Sequence, residues 1–152
     1  AGAVRLLIVD SNGTPANQQI LDAVYLHIAG TGDTDIERLM PIGAHLTVQA
    51  PEDLVIDISA SIIIEDGEDI DTILTRFKKN LNSYWLEAAQ EAAENISEHT
   101  GYIRYVQVGA ILAKTYGVID YTELTVNGDT ANILITHAQY PVTGEVILNV
   151  ET

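Results

Sequence analysis

The longest alternation of apolar and polar positions lies in the middle of the chain, from residue 54 to residue 65. A period of two is typical of a strand that buries one face. A shorter alternation from His45 to Ala50 predicts another half-buried strand, and the turn Pro51-Glu52-Asp53 predicts that the two strands form a hairpin. The long strand has apolar positions at Leu54, Ile56, Ile58, Ala60, Ile62 and Ile64, and polar positions at Asp57, Ser59, Ser61 and Glu65.

Two later segments have helical spacing. The first predicts a long helix that is capped by Asp71 or Thr72, runs to about Asn95 and has Trp85 as its core anchor. The second predicts a shorter helix from about Tyr105, followed by Gly117 as a left-handed cap. The repeating apolar positions are Ile73, Leu74, Phe77, Leu81, Tyr84, Trp85, Ala88 and Ala92 in the first, and Val108, Ile111 and Leu112 in the second.

Three strands are predicted after these helices, at Val118 to Val126, Asn132 to Thr136 and Glu145 to Val150. The turn Asn127-Gly128-Asp129 predicts that the first two pair as a hairpin, and Pro141 to Gly144 predicts a turn before the third. A change of apolar phase within the first strand predicts a bulge near Thr122. The order of elements indicates an α+β fold, with a mainly antiparallel sheet and two helices packed on one face.

The first 40 residues predict a short strand-helix unit. Val4 to Val9 is a strand, Thr14 caps a helix with Pro15 at its first position, and Gly30 ends that helix. The polar stretch 31 to 43 contains a proline and is the candidate domain boundary. We therefore predict that residues 1–40 are a strand-helix unit with a linker, and that residues 41–152 form a separate α+β domain. The missing initiator Met and the immediate strand favour a piece of a longer protein.

The formal net charge of −15, from 22 acidic and 7 basic side chains, argues against nucleic acid and anionic membrane surfaces as partners. The chain has no cysteine, which excludes disulfides and thiolate metal sites. Its apolar runs are too short for a membrane span. The lysines and arginines are scattered, apart from a short run from Arg76 to Lys79 in the long helix. They are Arg5, Arg38, Arg76, Lys78, Lys79, Arg104 and Lys114.

Candidate chemistry is weak throughout the sequence. No serine lies in a Gly-x-Ser-x-Gly elbow, and the histidines, His27, His45, His99 and His137, lack metal-ligand spacing. The acidic turn around Gly67 and the segment Asp10-Ser11-Asn12-Gly13 resemble parts of calcium loops without completing one, so turn and helix-cap roles are favoured. We predict no catalytic, cofactor-binding or metal-binding residue, and no cofactor. The acidic turn comprises Glu65, Asp66, Glu68, Asp69 and Asp71.

A series of turn and strand-start motifs extends from about residue 40 to residue 150: Met40-Pro41-Ile42-Gly43-Ala44, Val48-Gln49-Ala50-Pro51-Glu52, Gly117-Val118-Ile119-Asp120-Tyr121, Leu124-Thr125-Val126-Asn127-Gly128 and Pro141-Val142-Thr143-Gly144-Glu145-Val146. In this order and spacing, the series resembles the baseplate J-like family of phage tail proteins. Residues 1–30 also resemble the segment that closes the family's preceding domain. The resemblance therefore implies that residues 1–40 are the strand-helix end of a preceding (middle) domain with its linker, and that residues 41–152 are the C-terminal α+β domain. The motifs specify backbone shape through glycine and proline, and the resemblance brings no catalytic residue to any of their positions.

The resemblance implies a structural, non-enzymatic component of a contractile-tail baseplate, in a phage, a prophage or a tail-like particle. It implies assembly in the bacterial host cytoplasm, with several copies around the tail axis in contact with other wedge and tail proteins. An alternative is a small ligand- or calcium-binding module, suggested by the acidic turns and by tyrosines such as Tyr102 and Tyr105. An enzyme is a third hypothesis, which needs a pocket that joins His99 or His137 to carboxylates.

Overall fold

The structure is a computed structural model that describes residues 3–11, 14–30, 39, 44–95 and 97–152. Its contacts divide the chain into two compact units, Ala1–Glu52 and Asp53–Thr152. The sequence predicts domains of 1–40 and 41–152. Most of the stretch around that boundary, including the motif from Met40 to Gly43, lies outside the described residues. The assignment of residues 1–40 to a preceding domain therefore stays a prediction.

The first unit contains β1 (Ala3–Leu7), α1 (Gln18–Ala29) and β2 (His45–Gln49). β1 and β2 pair in parallel, with α1 between them in sequence. The predicted cap of α1 is wrong. Asn17 caps this helix through its side chain, which accepts a hydrogen bond from Ile20 N at 3.1 Å, whereas Thr14 donates its backbone N–H and its hydroxyl to the carboxylate of Asp10. Gly30 ends the helix with a φ of 73°, as predicted.

The second unit contains two small sheets and two helices. Strand β3 lies at the centre of the first sheet, in the order β5-β3-β7, and β4 pairs with β6 in an antiparallel second sheet. This arrangement confirms the α+β class. The bounds are β3 (Glu52–Ile64), α2 (Ile70–Glu94), β4 (Thr100–Ile103), α3 (Tyr105–Lys114), β5 (Val118–Val126), β6 (Ile133–Thr136) and β7 (Gln139–Val150).

Both predicted hairpins are wrong, although the strands themselves form. β2 pairs with β1 and not with β3, while β5 pairs with β3 and not with β6. The turn after β5 is tied across to β3: Asn127 N donates to Asp57 O at 2.8 Å, and the Asn127 side chain accepts from Asp57 N at 2.7 Å. The predicted turn from Pro141 to Gly144 lies inside β7. Strand β4 has no counterpart in the prediction, because four residues that include a glycine give little alternation.

The predicted bulge in β5 is confirmed. Ser59 pairs with Thr125 and Ser61 pairs with Thr122, so β5 contains one residue more than β3 over this interval. Glu123, one of the two residues between these pairs on β5, has a φ of 53°. An L-residue with a positive φ is strained, and bulges are where such angles occur. The extra residue explains the change of apolar phase along the strand.

The core of the second unit lies between the first sheet and the two helices. Helix α2 contacts β7, and α3 contacts β5. Asp69, and not Asp71 or Thr72, caps α2 by accepting from Thr72 N at 3.1 Å. Trp85 is the predicted anchor: it is 1% exposed, and its Nε1 donates to Thr143 Oγ1 at 2.9 Å. The apolar side chains of α2 that are buried beside it are Ile73, Phe77, Leu81, Ala88 and Ala92.

Candidate functional site

The side of β3 opposite the core forms what we call the open face of the sheet. On β3 this face begins at Val55, which is 52% exposed, and ends at Ile63, which is 40% exposed. Ile147 on β7 is 45% exposed. The open face therefore presents branched apolar side chains among polar ones. It consists of Val55, Asp57, Ser59, Ser61 and Ile63 of β3, Thr122 and Thr125 of β5, and Glu145 and Ile147 of β7. Of these residues, Ser61 is buried, with 9% of its surface exposed.

A shallow groove of about 160 Å³ lies on the open face. The carboxylate of Asp57 stands in its wall and accepts a hydrogen bond from Glu145 N at 2.8 Å, which links β3 to β7. Gly144 is required beside it, because an added Cβ would collide with that carboxylate and lie 2.7 Å from Val55 Cγ1. The residues that line the groove include no histidine and no aromatic side chain. They are Asp57, Ile58, Ser59, Thr125, Gly128, Glu145 and Ile147.

Charge is segregated between the sheet and the helices of the second unit. Strands β3, β5 and β7 contain no lysine or arginine, while the open face contains Asp57 and Glu145. The basic residues of 53–152 are Arg76, Lys78 and Lys79 on α2, Arg104 at the cap of α3, and Lys114 at its end. The groove is therefore acidic, and we expect it to favour a basic group on any partner that reaches it.

The acidic turn around Gly67 has the turn and cap roles that the sequence favours. Asp69 caps α2, and Glu68 pairs with Arg76 at 2.6 Å. The Arg76 guanidinium also donates to Tyr116 O at 3.1 Å and lies 4.9 Å from the centre of the Tyr116 ring. The start of α2 is thus fastened to the loop before β5. Among the described residues, no group of three or more histidine, aspartate or glutamate side chains is placed to hold a metal ion.

The tyrosines of the ligand-binding alternative are used in packing or lie away from the groove. Tyr105 donates its hydroxyl to Leu124 O at 2.8 Å, and Tyr84 accepts from Arg104 N at 2.8 Å. Burial raises the pKa of the Tyr84 hydroxyl above its ordinary value. Tyr102 is 45% exposed and does not line the groove. The rim of Tyr102 and Tyr105 that this alternative needs is not part of the groove on the open face.

Arg104 forms an exposed pair with Glu91 of α2. Its two terminal nitrogens donate to the two carboxylate oxygens at 2.8 and 2.9 Å. The hydrogen bonds from Arg104 hold the pKa of Glu91 below its ordinary value, and the same bonds raise the pKa of Arg104. Because both side chains are about as exposed as ordinary surface residues, the pair contributes little to stability.

The structure brings together two histidines that are isolated in sequence. The ring centres of His99 and His137 are 4.9 Å apart, and His137 N donates to His99 O at 2.8 Å. Both side chains are exposed, and neither lines the groove with Asp57 and Glu145. Sequence reasoning misses the pair because 38 positions separate its members and β4 is not predicted. The enzyme hypothesis, which needs a histidine beside carboxylates in one pocket, gains no support from the groove.

The fold defines an α+β domain in which β3 is the central strand of a small sheet that two helices cover on one side. No helix in the described ranges is both long and apolar enough to cross a membrane. Residues 56–149 match the family described as "Baseplate J-like protein C-terminal domain". The chain belongs to this family, and the resemblance seen in the sequence is confirmed. The family indicates a structural role in a phage tail baseplate.

Two relatives from Bacillus subtilis (strain 168) are similar over nearly the whole chain. The first is the phage-like element PBSX protein XkdT, 26% identical over 148 residues, which are 95% of this chain and 39% of XkdT. The second is the uncharacterized protein YqbT, with the same identity and coverage. The chain thus spans about two fifths of the length of these relatives.

Proposed function

We propose that this chain is an assembly module of a baseplate wedge protein in a contractile tail, present in several copies around the tail axis. The match of residues 56–149 to the baseplate J-like C-terminal domain family carries this proposal. The partners are other wedge and tail proteins, and assembly takes place in the bacterial host cytoplasm. The proposed role is non-enzymatic, because it needs shape and contact surfaces and no reacting group.

The open face supports this proposal as a contact surface. It combines exposed apolar side chains, such as Val55 and Ile147, with the acidic groove between Asp57 and Glu145. Interfaces combine apolar contact with a charge pattern that selects the partner. The proposed neighbour therefore presents a basic side chain to the groove and apolar side chains beside it.

Purified tail particles test the assembly role. Quantitative mass spectrometry is expected to find the parent protein at a constant ratio to known tail proteins across a density gradient. Absence from the particles, or a ratio that varies from fraction to fraction, would contradict a built-in structural component. Treatment of intact particles with a cross-linker is expected to join the parent protein to other tail proteins.

A charge reversal in the parent protein tests the open face separately. Glu145→Lys places a cation in the acidic groove and is expected to lower the yield of complete tails. Glu94→Lys is the matched control, because Glu94 is an exposed carboxylate at the end of α2 that does not line the groove. Equal yields from both variants would remove the open face from the proposal and leave the assembly role to the particle measurement.

A further inference from the structure

We propose that His99 and His137 form a two-histidine site for a divalent transition metal ion. The site would bind Zn²⁺, Ni²⁺ or Cu²⁺ through one neutral ring nitrogen from each side chain, because imidazole suits these ions and hard ions such as Ca²⁺ prefer oxygen ligands. Water, or a side chain of a neighbouring protein, would fill the remaining positions. This inference is independent of the tail assembly role.

The separation of the two rings fits a shared ion. A metal ion lies about 2.0–2.1 Å from a histidine nitrogen, and therefore about 3.2 Å from the centre of that ring. Two such rings have centres about 4.5 Å apart at a right angle around the ion and about 5.2 Å apart at the tetrahedral angle. The observed separation of 4.9 Å lies between these limits. The rings are tilted by 54° and are not stacked, so the pair is not a face-to-face aromatic contact.

The backbone fixes this geometry in advance. Thr100 pairs with Thr136 at the end of the β4-β6 sheet. His99 comes directly before β4 and His137 directly after β6, so the two residues lie opposite each other beyond this last pair. His137 N donates to His99 O at 2.8 Å, and His99 N donates to Asn95 O at 2.8 Å. The sheet and the end of α2 therefore hold both residues, so binding would not have to order two separate loops.

His99 has an unusual backbone conformation. Its φ is 54°, in the left-handed region that few residues other than glycine adopt. Histidine and asparagine are among the side chains that tolerate this region best. Both histidines are exposed, so an ion can reach them from solvent, and the net charge of −15 raises the local concentration of cations.

Titration of the full chain with ZnCl₂ in a calorimeter tests the proposal. One Zn²⁺ is expected per chain, with no comparable heat from CaCl₂ or MgCl₂. His99→Asn, which keeps a side chain suited to the left-handed backbone, and His137→Gln are each expected to weaken Zn²⁺ binding roughly tenfold or more. His27→Gln and His45→Gln are matched controls, because they remove histidines of the first unit and are expected to leave binding unchanged.

Unchanged binding in either pair variant, or an equal loss in the two controls, would overturn the site. Circular dichroism of each variant shows whether it is folded. A measurement on the unaltered chain avoids that question: Cu²⁺ bound at one equivalent is expected to show coupling to two imidazole nitrogens in its electron paramagnetic resonance spectrum. Coupling to a single nitrogen would also refute a shared site.

Discussion

The two faces of strand β3 show how one strand serves two different environments. Toward the helices, Ile56 and Ile62 are fully buried, while on the open face Val55 and Ile63 remain about half exposed. A buried side chain is tied to stability through its packing, and an exposed one contributes far less. The covered face therefore determines the stability of the unit. Side chains on the open face contribute less to stability, so they can be selected for contact with a partner.

Removal of the core anchor is expected to have the largest effect. Trp85→Ala would lose buried area and the hydrogen bond to Thr143, at a cost of about 3–5 kcal/mol in the free energy of unfolding. The neighbour Leu86 is 39% exposed, and Leu86→Ala is expected to cost less than about 1 kcal/mol. Urea denaturation of both variants gives the comparison, and similar losses would mean that Trp85 is not the anchor.

Two adjacent isoleucines compare the faces directly. Ile62 is 0% exposed on the covered face, and Ile62→Ala is expected to cost about 2–5 kcal/mol. Ile63 is on the open face, and Ile63→Ala is expected to cost less than about 1 kcal/mol. Thermal unfolding of the two variants measures the difference. If Ile63→Ala were as costly as Ile62→Ala, the open face would not be open in solution.

The open face has one position where packing is tight. Gly144→Ala would place a Cβ against the Asp57 carboxylate and Val55, and is expected to cost about 1–3 kcal/mol. Glu145→Ala, at the next residue, keeps the backbone N–H that Asp57 accepts from and is expected to stay within about 0.5 kcal/mol. Denaturation midpoints distinguish the two, and a harmless Gly144→Ala would mean that β3 and β7 are further apart than the structure has them.

The bulge in β5 offers a smaller contrast. Glu123 has a φ of 53°, so Glu123→Gly would relieve backbone strain while making the unfolded chain more flexible. These effects oppose each other, and the net change is expected to be within about 0.5 kcal/mol. Thr122→Gly, at a position paired with Ser61, is expected to cost about 1 kcal/mol. Equal costs in thermal unfolding would argue against the positive φ.

The smallest expected effect is the pH dependence of stability that comes from the pair of Glu91 and Arg104. Because the pKa of Glu91 is lowered in the folded state, its pair with Arg104 stabilises the fold above the ordinary carboxyl pKa, and this contribution is lost as the pH falls through the lowered value. Glu91→Gln is therefore expected to lower the melting temperature slightly at neutral pH and not at all in strong acid. A difference that grew as the pH fell would contradict the assigned direction.

The pattern of the sequence predicts elements better than it predicts which strands are neighbours. The alternation in β3, the helical spacing around Trp85 and the bulge in β5 are all visible locally, because each depends on side chains within one element. Pairing depends on distant residues. Asn127 looks like part of a hairpin turn, yet its bonds to Asp57 cross 70 positions of sequence. The predicted helix caps are wrong for a different reason. Thr14 suits a cap as well as Asn17 does, and Asp71 and Thr72 suit one as well as Asp69 does, so residue type alone does not select the cap.

The candidate surfaces were less predictable than the fold. The alternation of β3 already separates Asp57 and Ser59 from the core, so the polar side of the strand could be predicted. The groove could not be predicted, because it requires β7 to lie beside β3, and the local sequence does not show which strands are neighbours. The approach of His99 to His137 requires the β4-β6 pairing, for which the local sequence gives no signal. The resemblance to the family can be recognised from the sequence, because it rests on the order and spacing of turn motifs along the chain and not on contacts between distant residues.

The chain contains a single tryptophan, and its position makes it an optical reporter. Trp85 of α2 is 1% exposed and donates to Thr143 of β7, so its emission should shift to longer wavelength only when the second unit opens to water. The first unit contributes no tryptophan signal at all. A denaturation curve followed by fluorescence therefore reports residues 53–152 alone, while far-ultraviolet circular dichroism reports the helices of both units. Coincident curves would indicate one cooperative transition, and separated curves would give each unit its own stability.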